Sequence, residues 1–324
     1  MNKLKLVLIS GMLSIATCSA STNYANRPEI QAMAERLAKK GIDRSVVLET
    51  MREAKRLDSV INAMERPAEK KLWKNYRSIF IKKERVVAAK VFYELHKETL
   101  YRAERELGVP VSIILAIIGV ETYYGKHKGS FRVLDALATL GLDYPRRSKF
   151  FLSELESFFL LSEVEKLNPI TLKGSYAGAM GFGQFIPSSY LAYAIDFDND
   201  GRRDLINNPI DAIGSVANYL ARHGWKRNFG IAVPVSGADP FVQQMEAQIK
   251  IRYQSDRLFQ KGVQGVPIEW KGSMVDVLGL HGNKGNEFWV VTKNFYVITR
   301  YNRSSLYAMA VTQLASEIES ALGL

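Results

Sequence analysis

Cys18 is the only cysteine in a chain of 324 residues. Disulfide staples, Cys-ligated metal centres and a cysteine nucleophile in the folded body are thereby excluded. The four histidines, His96, His127, His223 and His281, fall at no metal-ligand spacing. There is no H-E-x-x-H, no P-loop and no dinucleotide fingerprint, so zinc-peptidase, nucleotide-hydrolysis and hydride-transfer chemistry lack their usual signatures. Past the N-terminus no segment reaches the roughly 18 apolar residues of a membrane helix. No linker rich in Pro, Gly or Ser and no repeat period divides the chain.

What is present suits a globular protein of one large or two smaller domains: 47% of residues are hydrophobic and 24% charged, enough to bury a sizeable core. The net charge of +11 is spread along the chain rather than gathered in a tail. Such a surface suits a polyanionic partner, whether nucleic acid, anionic lipid or acidic wall polymer. Nucleic acid is disfavoured by the absence of a basic-aromatic motif and by the N-terminus. There Lys3 and Lys5 precede an apolar stretch from Leu6 to Ala16 and then small residues around Cys18 and Ala20, the layout of a secretory signal over residues 1–20. Its removal takes away two lysines and no acid, leaving +9. The "IATC" at Cys18 approximates a lipoprotein signal, although Thr17 stands where a smaller residue is usual. The segment therefore reads either as a lipid-anchoring signal or as one cleaved after Ala20.

The remainder is mainly helical in pattern. "EIQAMAERLAKKG", "RSVVLETMREAKRL" and "RVVAAKVFYELHKETLYRAERELG" form a polar-faced helical front, the last stopping at Gly108. Pro110 opens "VPVSIILAIIGVETYYG", apolar on nearly every face and therefore central to a core. "RVLDALATLGLD", "SKFFLSELESFFLLSEVEKL", "PSSYLAYAI" and "PIDAIGSVANYLARHGW" add further helices. After Trp225 the signal mixes: "QQMEAQIKIRYQSDRLFQKG" reads as helical, "VPIEWKG", "EFWVVTK" and "NFYVITRY" as short strands, and "SSLYAMAVTQLASEIESAL" as a closing helix.

Three segments carry candidate chemistry. Glu121 follows Ile113, Ile114, Leu115, Ile117, Ile118 and Val120, so its carboxyl emerges from the most apolar helix. Lost hydration raises a carboxyl's pKa and keeps it protonated near neutrality, as a general acid acting on a glycosidic oxygen requires. The competing reading turns Glu121 outward or pairs it with Lys126 or Arg132. "GSYAGAMGFGQFIPSSY", Gly174 to Tyr190, has little side-chain bulk and offers Ser175 and Gln184 as oriented polar groups. It reads equally as a surface for a flat ligand and as a tight packing turn. In "DFDNDGRRDLINNPID", Asp196, Asp198 and Asp200 alternate, Gly201 permits a sharp turn, Arg202 can offer its carbonyl and Asp204 a direct or water-mediated ligand, as in an EF-hand loop. Position twelve is Asn207 rather than glutamate, so Asp211 becomes the closing carboxylate of a lengthened loop. Unpaired aspartates this close repel, which favours Ca²⁺ over a solvated acidic turn.

Taken in order, "GVETYYG", "LDALATL", "YPRR", "KGSYAGAMGFGQFIPSSY", "IDFDNDG", "DAIGSVANYLARHGW" and "NFYVITRYN" make the chain resemble the lytic murein transglycosylases of the membrane-bound B type, from about residue 30 onward. The resemblance implies a mainly α fold: a lysozyme-like core over residues 108–225 with a calcium loop at 196–211, an attached α-helical domain from residues 27–107 and C-terminal segments, and a mixed region with a few short strands, 226–324, completing the groove. It implies cleavage between N-acetylmuramic acid and N-acetylglucosamine without water, leaving a 1,6-anhydromuramoyl end. Glu121 would be the sole catalytic acid/base, and Ser175, Gln184, Tyr219 and Tyr301 glycan-contacting groups. Arg146 and Arg147 would meet peptide or muramoyl carboxylates, and Asp196, Asp198, Asp200, Arg202 and Asp211 would hold calcium. Expected partners are peptidoglycan glycan strands, an outer-membrane lipid anchor if Cys18 is lipidated, and cell-wall synthesis proteins; the expected location is the periplasm. The rival readings are a muramidase hydrolysing the same bond and a non-catalytic peptidoglycan-binding protein.

Overall fold

A computed structural model describes residues 23–65, 71–238 and 249–324. The signal segment with Cys18, and the start of the "QQMEAQIK" stretch, lie outside the described residues. Four helices lead the chain: α1 (Pro28–Ala38), α2 (Arg44–Arg52), α3 (Asp58–Met64) and α4 (Trp73–Phe80). α5 (Lys83–Leu107) follows, with non-helical backbone at His96 inside it, and ends where Gly108 takes φ +76. That left-handed stop lets the next helix begin three residues later, behind Pro110.

α6 (Val111–Thr122) is the axis of the molecule. Val111 through Gly119 are all buried, because α5, α10 (Pro209–Arg222) and α13 (Ser305–Leu322) pack around it. A helix apolar on every side has no solvent face to offer, so the sequence places it inside. α7 (Val133–Leu142), α8 (Ser148–Val164) and α9 (Pro187–Tyr193) pack on one another in succession, and α9 packs on α10. A two-stranded ribbon, β1 (Phe131–Arg132) with β2 (Lys173–Gly174), ties the loop after α6 to the glycine-rich loop.

The mixed region forms a four-stranded antiparallel sheet in the order β3 (Ala232–Val235), β6 (Gly285–Val291), β5 (Met274–Gly282), β4 (Tyr253–Gln254). It has its own apolar cluster, Leu258, Val263, Val266, Trp270, Val275, Val277 and Val290, separate from the main core. The chain then returns to the main core through α12 (Lys293–Tyr301) and α13.

The mainly α expectation holds, and three local readings are corrected. "NFYVITRY" is helix α12, not a strand: the Thr292 side chain accepts the Asn294 N–H as an N-cap, and Phe295 and Ile298 bury one turn apart. Packing thus overrides a β-branched, aromatic composition. "VPIEWKG" is a 3-10 turn at Ile268–Trp270 that drops Trp270 into the small cluster. Of "QQMEAQIKIRYQSDRLFQKG", the described part is a strand at Tyr253–Gln254 and only a short helix, α11 (Ser255–Gln260). That strand pairs with β5, a long-range partner that no local pattern reveals.

Candidate active site

Glu121 lies in the last turn of α6, which Tyr123, Tyr124 and Gly125 end with three successive positive φ values. The reversal is held by Thr122, whose hydroxyl donates to the Phe182 carbonyl and accepts the Gly125 N–H. The end of α6 is thereby clamped to the glycine-rich loop. Glu121 is only partly exposed, and its Oε1 accepts a 2.6 Å hydrogen bond from the Tyr307 hydroxyl on α13. Burial pushes the carboxyl up to about 7, against the opposing pull of the Tyr307 bond. Neither alternative partner takes it: Lys126 lies over the Tyr123 ring, and Arg132 pairs with Asp135. No second carboxylate is among the groups that shift it.

An aromatic ladder backs the acid. The Tyr301 and Tyr307 rings stack at 6.5 Å with an interplanar angle of 10°, and Tyr219 meets Tyr301 edge-on at 4.8 Å. Burial, followed by the nearby Glu121 charge, raises the Tyr301 and Tyr307 phenols well above their usual range, so both remain protonated donors. The Tyr301 hydroxyl donates to the Gly183 carbonyl at 2.6 Å, and the Tyr219 hydroxyl to the Arg300 carbonyl at 2.6 Å. Tyr301 therefore belongs to the cluster around Glu121. Tyr219 sits one layer behind, buried and stacked on His223.

The glycine-rich loop is a packed turn rather than an open floor. A Cβ on Gly183 would stand 2.7 Å from the Tyr301 hydroxyl, and one on Gly174 would stand 2.3 Å from the Ala179 carbonyl. Ser175 shapes this turn, its hydroxyl accepting the N–H groups of Ala177 and Ala179. Gln184, at φ +51, donates to the Lys128 and Gly181 carbonyls, bridging to the loop after α6. Arg146 and Arg147 occupy a 3-10 turn between α7 and α8. Arg146 pairs with Glu65 at 3.4 Å, and Arg147 lies over Phe150 and Phe151. Among the described contacts none joins this pair to Glu121 or its tyrosines.

Tyr307 was missed by sequence reasoning. It sits 186 residues from Glu121 inside an apolar helical run, and only the packing of α13 on α6 brings them together.

In the acidic loop, Asp196, Asp198 and Asp211 offer carboxylate oxygens within 4.8 Å of one another. Asp211, at the start of α10, is fully buried and accepts the N–H groups of Phe197 and Asp204. Burial pushes its pKa up, and the Asp198 and Asp196 charges add to the rise. Asp200 stands outside the trio, accepting the Arg202 N–H, while Asp196 accepts those of Asp200 and Gly201. Three converging hard oxygen donors, one of them the buried Asp211 carboxylate, fit a Ca²⁺ ion.

A family model described as a transglycosylase SLT domain matches residues 25–316. The chain is 41% identical over 307 residues, 91% of its length and 84% of the relative's, to membrane-bound lytic murein transglycosylase B of Escherichia coli strain K12. It superposes with a TM-score of 0.85 at 42% identity on the Escherichia coli lytic transglycosylase Slt35 in complex with calcium, covering 93% of this chain and 96% of that one. SltB3 of Pseudomonas aeruginosa, in complex with NAG-NAM-pentapeptide, matches with a TM-score of 0.79 at 29% identity, over 89% of this chain and 78% of that one.

Proposed function

Because the chain belongs to the transglycosylase SLT domain family, we propose that Glu121 is its single catalytic acid/base, cutting the glycan strand of peptidoglycan. The fold is lysozyme-like and the activity that of a lytic murein transglycosylase. The observation that carries the assignment to Glu121 is a carboxyl held near pKa 7 by burial with no second acid acting on it. Retaining and inverting hydrolases use two carboxylates, one of which activates water or attacks the sugar. One suffices when the substrate supplies the nucleophile.

The Tyr307 hydroxyl occupies Oε1, which leaves Oε2 to carry the proton. Glu121 protonates the leaving glycosidic oxygen, and the muramoyl N-acetyl group stabilises the oxocarbenium-like centre. The glutamate then takes the proton of the muramoyl C6 hydroxyl as that oxygen closes on C1. One C–O bond breaks, one forms, the proton returns to Glu121, and no water is consumed. Ser175 and Gln184 support the groove by fixing the turn that carries Phe182 and Gly183, Tyr301 by packing beside the acid, and Tyr219 by backing Tyr301 from the layer behind. Arg146 and Arg147 would meet stem-peptide carboxylates at a distance from the bond that breaks. Digestion of purified sacculi tests the reading: the soluble products are lighter by one water than hydrolytic ones. Reducing-end muropeptides as the main product would overturn it.

Ca²⁺ has a structural role in this reading. Asp196, Asp198 and Asp211 hold it, the latter from α10, and the ion neutralises their charge and ties the loop to the helix that carries Tyr219. A relative's complex with calcium supports the choice of ion. The chain acts in the cell envelope, a location supported by its membrane-bound relative; among the described residues no helix is long and apolar enough to cross a membrane. Mass spectrometry of the mature N-terminus separates a lipid-modified Cys18 from cleavage after Ala20.

A further inference from the structure

A cavity of about 660 Å³ opens between α4, α13 and the turn joining β5 to β6, and none of its lining residues belongs to the Glu121 cluster. Two of its walls are tryptophans. Trp73 is fully buried and Trp289 partly so, and both indole N–H groups are shielded from solvent with no acceptor. A buried donor without a partner is costly, and both lie within the wall, closed off by their own neighbours. Around the indoles stand charges of both signs: Lys74 on α4 and Lys284 on the turn, Glu287 on β6 and Glu317 on α13. None of the four forms an ion pair among the described residues. Arg77, also on the wall, is engaged by Gln313 across the α4–α13 seam at 2.7 Å.

A neutral glycan leaves these four charges unmatched, and a plain polyanion is repelled by the two glutamates. A small molecule carrying both carboxylate and ammonium groups answers all four, with the two indole rings as its apolar walls. The volume is in the range of sites that enclose small ligands. The stem peptide of peptidoglycan, with free carboxylates and the ammonium of its diamino acid, has this chemistry. Glu317 lies ten residues beyond Tyr307 on the same helix, a rise of about 15 Å. A peptide held there therefore belongs to a sugar away from the one being cut, or to a neighbouring strand.

We propose that this tryptophan-walled cavity is a second substrate site that takes peptidoglycan stem peptides by their carboxylate and ammonium groups. The proposal rests on the peptidoglycan reading above and adds a site to it. The probe is the free tripeptide L-Ala-γ-D-Glu-meso-diaminopimelate, titrated by calorimetry into wild-type protein and into a Lys74→Glu/Lys284→Glu double variant. Saturable binding is expected, weakened tenfold or more by the charge reversal. The same variant should release soluble material from stem-bearing sacculi more slowly than wild type, yet digest amidase-denuded glycan strands at the wild-type rate. No saturable binding to wild type, or equal binding to both proteins, overturns the second site. Digestion of denuded strands by wild type reports on the lyase reading alone, so the two failures are distinguishable.

Discussion

Replacing Glu121 by Gln separates the catalytic from the energetic consequences of one buried proton. The amide keeps the side chain's shape and an oxygen able to accept the Tyr307 hydroxyl, but carries no acidic proton. The wild-type carboxyl is raised from 4.5 to about 7 in the folded state, chiefly by desolvation. In a group shifted this way, the neutral form is compatible with the fold and the ionised form is penalised. Native stability is therefore undiminished below the unfolded-state value, declines as pH rises through the window from 4.5 to about 7, and levels off above it. At about 1.4 kcal/mol per pKa unit, the full penalty is about 3 kcal/mol. Glu121→Gln has no such window.

The variant should match wild type in stability at about pH 4, and exceed it by about 3 kcal/mol at about pH 8, as read by denaturant unfolding of both proteins at each pH. Other titrating groups are common to the two chains and cancel in the comparison. Activity should move the opposite way: the variant solubilises sacculi at least about a hundredfold more slowly, the ordinary worth of a positioned general acid. In wild type, kcat/KM should fall on the alkaline side as the free enzyme loses the proton near pH 7. A stability difference that is flat with pH would refute the burial-raised pKa, and near-normal turnover by the variant would refute the catalytic role.

Tyr307→Phe removes the hydroxyl that favours the ionised carboxylate, so the alkaline limb of the pH–rate profile should move to higher pH; an unmoved limb contradicts the bond's role. Gly183→Ala places a methyl 2.7 Å from the Tyr301 hydroxyl and 3.0 Å from Val216, and should cost about 1–3 kcal/mol in urea unfolding, together with activity. Ca²⁺ added to chelated protein should raise its Tm, by the equivalent of about 2.7 kcal/mol at a hundredfold excess over Kd. Asp198→Ala should blunt that rise, and an unchanged Tm on chelation rules out the loop as a calcium site.

The helical frame was legible because most of it is written in local periodicity. The unbroken apolar run of Ile113–Val120 could only be central, and Gly108 and Pro110 mark the break before it. Glu121 stood out for the same reason, as a charge at the end of that run. What stayed hidden depends on distant partners. The Tyr253–Gln254 strand exists because β5 lies beside it, and α12 is a helix because a threonine cap and a waiting core outweigh its β-rich composition. The glycines of the 174–184 loop were visible, but not their neighbours: the loop could be read as open to ligand until Leu205, Leu137 and Tyr301 were seen to fill the space.

The bond between Glu121 and Tyr307 has a consequence for timing. A ribosome delivers the helix bearing Glu121 long before the helix that completes its surroundings, since 186 residues separate them. Until α13 docks on α6, the glutamate is hydrated, its pKa returns toward that of a free carboxyl, and it has no proton to give near neutrality. On the assignment of Glu121 as the acid, a chain whose α13 has not yet docked lacks a carboxyl able to serve as one. The long sequence separation sets that order, at the cost of slower folding.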